Sequence, residues 1–89
     1  MARVEFSSLD SIECSAQGGT PDALFELGLM YCAGRDVDMD LVEAHKWFNL
    51  AAMRGNIEAR RYRAEISSEL SKLQIARAQR LAREWLALH

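Results

Sequence analysis

Apolar residues recur at three- and four-residue intervals along most of this chain. The pattern predicts helices. The first strong one opens at "TPDALFELGLMYCAG", where Thr20 can cap, Pro21 suits the first helical position and Asp22 complements the positive end of the helix dipole. Gly34 then ends it. Leu24, Leu27, Gly28 and Tyr31 share one face, while Phe25, Leu29 and Cys32 form a second apolar stripe opposite. A helix apolar all round is covered on two sides or presents one of them to a partner.

A second helix begins after Asp40, a capping carboxylate with Glu43 placed to complete a capping box, and runs through "LVEAHKWFNLAAMR" to Gly55. Leu41, Ala44, Phe48, Ala51 and Ala52 fall on its inner face. The link of five or six residues makes these two helices an antiparallel hairpin. A third helix follows Asn56 and turns Ala59, Tyr62, Ile66 and Leu70 inward; a fourth follows Ser71, whose "SKLQ" gives a capping box with Gln74. Ile75, Ala78, Leu81, Ala82 and Trp85 form the apolar stripe of this last helix. Near the start, Phe6, Leu9 and Ile12 give residues 5–17 the spacing of a short helix, interrupted by serines.

The pattern also repeats. "SAQGGTPDA" at 15–23 lies over "AAMRGNIEA" at 51–59 with a shift of 36, pairing Ala16 with Ala52, Gly19 with Gly55 and Ala23 with Ala59; "AHKW" at 44–47 returns as "AREW" at 82–85. Helix–turn–helix units of roughly this period build helical solenoids.

Ala23, Leu27, Gly28, Tyr31, Gly34, Val37, Asp40, Ala44, Trp47, Ala51, Ala52, Gly55 and Ala59 together resemble the signature of the Sel1-like repeat, a relative of the tetratricopeptide repeat. The resemblance covers 23–59 as one complete unit. It implies an all-α fold of antiparallel helix–turn–helix pairs stacked as a short α/α solenoid, with about four main helices and an N-terminal segment. It further implies a protein-interaction adaptor, often in bacterial signalling or assembly, with no cofactor and no chemistry of its own. Residues 60–89 depart from the signature, having "RRYRAEI" where "LFELGLM" stands earlier. The expected organisation is one domain: 1–19 an N-terminal capping segment, 20–55 the complete hairpin, 56–89 a degenerate hairpin that caps the stack. Gly28 in mid-helix costs about 1 kcal/mol relative to alanine. It is therefore expected where a partner helix passes close, with Ala44, Ala51 and Ala52 as the facing positions, Tyr31 and Phe48 filling the wider gap and Trp47 covering its edge.

Composition narrows this picture without changing it. With 89 residues the chain is one small domain, and its apolar half and charged quarter are those of a folded globular protein. No apolar run is long enough to span a bilayer, and the opening "MARVEFSSLD" lacks the apolar core of a signal peptide, so a cytoplasmic setting is expected. Cys14 and Cys32 have no neighbouring pair, which points to free thiols in a reducing compartment. The net charge of −2 hides an asymmetry: residues 1–53 carry nine acids and three bases, residues 54–89 four acids and eight bases. Such a split can guide association with a partner or a second copy.

Candidate chemistry is sparse. Asp36, Asp38 and Asp40 occupy the first acidic positions of a calcium loop, but its required glycine and glutamate are Leu41 and Trp47, so the segment reads as a turn and a helix cap. His45 has no metal-binding or nucleophile partner in the sequence and is placed at the boundary of the helix pair; His89 is terminal. No catalytic, cofactor-binding or metal-binding residue is therefore assigned. The main expectation is a non-catalytic adaptor for a protein partner of unknown identity, with Phe25, Leu29 and Cys32 as one candidate surface and Trp85 in "WLALH" as another. The alternatives are a self-associating helical protein, forming a homo-oligomer head to tail, and a weak nucleic-acid binder through Arg60, Arg61 and Arg63 with Tyr62 stacking on a base. Acidic pI and interleaved glutamates weigh against nucleic acid.

Overall fold

The structure is a computed structural model that describes residues 16–89. Phe6, Leu9, Ile12 and Cys14, and with them most of the short helix expected at 5–17, lie outside the described residues. Among the described residues there are four helices and no strand: α1 (Pro21–Ala33), α2 (Leu41–Met53), α3 (Ile57–Ser67) and α4 (Lys72–Leu88). Together they make a short α/α solenoid.

Capping explains most of the helix ends. Asp40 accepts from the backbone N–H groups of Val42 and Glu43 at 3.0 and 3.1 Å, Asn56 accepts from Ala59 at 2.9 Å, and Ser71 and Gln74 form the reciprocal capping box. Gly34 closes α1 at φ 70°, in the left-handed region where a side chain is disfavoured, and its N–H and that of Arg35 both reach the Met30 carbonyl. Two expectations fail. The Thr20 hydroxyl makes no capping bond, so Pro21, which has no N–H to satisfy, starts α1 on its own. Glu43 does not reach back to Asp40; its carboxylate takes the Lys46 ammonium at 3.4 Å.

The third helix stops earlier than its apolar pattern suggests, and Leu70 lies in the turn beyond it. Ser67 and Ser68 are the physical reason. Their hydroxyls donate back to the carbonyls of Arg63 and Glu65, at 2.7 and 2.6 Å, a local alternative to continued helix.

The core sits around α2, which packs closely with α1, α3 and α4. Leu24, Leu27 and Met30 from α1 meet Ala44, Phe48, Leu50 and Ala51 from α2, all fully buried. Phe25, Phe48 and Tyr62 form a three-ring cluster with centroids 5.3 to 5.7 Å apart, tying α1, α2 and α3 together. On the other flank Trp47 and Trp85 meet edge to face at 6.0 Å and dock α4 on α2. The sequence echoes reappear as geometry. Gly19 N–H bonds to Ala16 O as Gly55 N–H bonds to Ala52 O, both glycines have positive φ, and the matched Trp47 and Trp85 are packed on each other.

Candidate functional site

Gly28 is the tightest point of the repeat. A Cβ built there would stand 2.4 Å from two atoms of the Phe48 ring, well inside contact distance. The expected facing residues, Ala44, Ala51 and Ala52, are therefore replaced in this role by Phe48. The glycine makes room for an aromatic ring rather than for a close crossing of two backbones. Of the other repeat positions, Leu27, Ala44, Trp47, Ala51 and Ala59 are buried, and Ala23, Tyr31 and Ala52 are half-buried.

The second stripe of α1 is half-buried rather than open. Phe25 is held in the three-ring cluster, Leu29 packs against the core, and Cys32 sits where burial first, then the charges of Glu69 and Glu65, raise its thiol pKa. Trp85 is also enclosed, at 9% exposed, between Trp47 and the stacked ring of His89. Leu88 is the large apolar residue of "WLALH" that stands open.

The arginine face is divided among different tasks. Arg63 donates to Asn49 Oδ1 at 2.7 Å across the α2–α3 interface, Arg61 is paired with Glu58 at 3.0 Å, and Arg60 is exposed. Tyr62, the ring assigned to base stacking, is occupied by Phe25 and Phe48. The Arg61 guanidinium lies 5.5 Å from the centre of the Tyr62 ring.

His45 and Ser67 form a contact that was not legible beforehand. The imidazole Nε2 lies 3.0 Å from the Ser67 hydroxyl, the spacing of a base and a nucleophile. The wiring is opposite. Ser67 donates its proton to the Arg63 carbonyl, so its oxygen accepts from Nε2–H, and Nδ1 is left buried with no partner. Burial, and secondarily the Arg63 charge, hold the His45 pKa below its ordinary value and keep the ring neutral. Such a pair links α2 to the end of α3.

A half-open cavity of about 240 Å³ lies between α1, α2 and α4, lined by Ala16, Gln17, Leu27, Trp47, Trp85 and His89. Both tryptophans of the chain border it. Lys46 covers the Trp47 ring at 4.0 Å, and the indole N–H of Trp47 is buried without a partner. Sequence reasoning placed Trp47 and Trp85 in separate roles, because only the docking of α4 on α2 brings them to one wall. Among the described residues no group of three or more His, Cys, Asp or Glu side chains is arranged to hold a metal ion. The aspartates of the first loop end in the α2 cap. No described helix is long and apolar enough to cross a membrane.

No curated protein matches this chain. The family model described as Sel1 repeat matches residues 21–56, from the first residue of α1 to the cap of α3. With its helical pair, its glycine–aromatic contact and its repeated turns, the chain carries a Sel1 repeat at residues 21–56.

Proposed function

We propose that this chain is a non-catalytic protein–protein interaction module, an adaptor whose partner offers a side chain to the cavity between α1, α2 and α4. The observation that carries this reading is the pairing of both tryptophans at the wall of that half-open cavity. A concave wall that mixes apolar and polar surface can receive a partner's side chain, and tryptophans are frequent anchors in protein interfaces. Sel1 repeats generally mediate protein–protein contacts, which supports the same reading. A cytoplasmic setting belongs to this proposal and rests on Cys32 being a free thiol. So does the role of residues 56–89 as a cap, since α4 is largely polar on the side away from α2.

Affinity capture from the native cell with the unmodified chain and with Gln17→Trp tests it. Gln17 is exposed at the cavity rim, so a larger side chain there obstructs the opening without entering the core. Partners captured by the unmodified chain and lost with Gln17→Trp are expected; retention by the variant removes the cavity from the reading, and failure of the unmodified chain to retain any protein removes the adaptor. Self-association is the second reading, favoured by the open side chains of Met53 and Ile57 beside the α2–α3 turn. Light scattering that gives one mass throughout a dilution series eliminates it.

A further inference from the structure

The outer face of α4 differs from every other charged surface described above. Lys72, Arg77, Arg80 and Arg83 are all exposed on this helix, against the single acid Glu84, in a protein whose net charge is −2. None of the four forms an ion pair among the described residues, and even Glu84, one turn from Arg80, is not bridged to it. On α3, by contrast, Arg61 is bridged to Glu58. A polar end to a solenoid needs only charges of mixed sign to remain soluble, and the helix dipole favours cations in the last turn alone. Neither accounts for arginines at 77 and 80, in the middle of the helix.

Their spacing is informative. Arg77, Arg80 and Arg83 form one row at three-residue intervals, the kind of ridge that fits the groove of a second helix. Ala76, Arg80, Arg83 and Ala87 recur at four-three-four spacing, the seam periodicity of paired helices, and all four are exposed. The alanines at both ends of the seam let another backbone approach, while Leu73 and Leu88, 84% and 82% exposed, offer apolar contacts near the helix ends.

We propose that this face is the docking surface for an acidic helical segment of a partner protein, with carboxylates at matching three- and four-residue intervals. The inference rests on the adaptor reading in taking the occupant to be a protein, and not on the tryptophan cavity. Charge complementarity selects the segment: guanidinium groups pair with carboxylates in a planar, two-point geometry. The rest of the molecule selects against a long polyanion. An extended nucleic acid would run beyond the basic stripe onto a net acidic protein, whereas a short segment feels chiefly charges within about 10 Å. Base stacking would also need an open aromatic ring, and Tyr62, Trp47 and Trp85 are packed together with their neighbours.

The test uses a synthetic helical peptide carrying glutamates at four-three spacing, its glutamine counterpart, and a peptide of identical composition with the register scrambled. Fluorescence anisotropy should show the registered acidic peptide binding, with both controls at least about tenfold weaker. Arg80→Glu/Arg83→Glu should weaken it by about tenfold or more, and a lysine version of the peptide should bind that variant instead. Equal binding of the scrambled peptide, indifference to charge reversal, or tighter binding of single-stranded DNA or anionic vesicles would overturn the proposal. Capture from the native cell separates the two levels. Native partners kept by Arg80→Glu/Arg83→Glu exclude this face while the adaptor reading stands; no protein retained by the unmodified chain removes that reading itself.

Discussion

Gly28 shows how one missing side chain organises the repeat. Its Cα lies under the Phe48 ring, and a methyl group there would have to displace that ring from a fully buried site. Gly28→Ala gains up to about 1 kcal/mol of helix propensity but overpacks the core by about 1–3 kcal/mol, so net destabilisation is expected. Urea denaturation should show it, and the loss should shrink in a Phe48→Leu background because the two positions are coupled. Gly28→Leu should lower the melting temperature far more. His45 makes a second residue-scale prediction. Its folded pKa is lowered from 6.5, so below that value the unfolded chain binds the extra proton more readily than the folded one. The contribution of His45 is therefore complete above pH 6.5 and is lost as pH falls toward the lowered folded pKa. Subtracting the stability profile of His45→Asn from that of the parent should leave a difference that declines on acidification in this window; a flat difference contradicts the assignment.

At the scale of the element, the helix ends divide into those held by side chains and those held by backbone preference. Asp40 carries two backbone donors of α2, so Asp40→Ala should cost about 1 kcal/mol, whereas Thr20→Ala should be nearly neutral because its hydroxyl makes no capping bond. Thermal melts of the two variants side by side decide this. The sequence pattern anticipated Asp40, Asn56, Ser71 and Gly34 well, since each acts on backbone groups within four residues. It misjudged the end of α3, where Ser67 and Ser68 compete for helix carbonyls against a periodic apolar pattern that continues to Leu70. It also left Met30 and Leu50 out of the core, although both are fully buried. Their positions follow the helical periodicity, but the width of each buried stripe depends on how many neighbours cover it.

For the whole molecule, α2 is the common partner of the other three helices, so the described part of the chain should unfold as a unit. Ending the chain at Leu70 removes α4 and with it the cover of Trp47. The expected result is loss of cooperative thermal unfolding and of the blue-shifted tryptophan emission; a truncated chain that melts like the parent would show that α4 is an appendage. The same arrangement explains why the candidate sites shifted. Phe25, Leu29 and Cys32 form a second apolar stripe on α1 and Trp85 belongs to an apolar C-terminal stretch; packing of further helices half-buries the stripe and encloses Trp85. The α4 arginines were visible only as a regional excess of bases until that packing showed which of them lack partners.

By itself the sequence determined the four helices, three of their capping contacts and the repeat at 21–56, because these depend on periodicity and on interactions between residues near in the chain. Tertiary structure alone decided that Gly28 faces Phe48, that His45 meets Ser67, that the two tryptophans share one cavity wall, and which charges remain unpaired. Those contacts join positions about twenty or more residues apart. Their identity follows from the angle and depth at which helices pack, which local pattern does not encode.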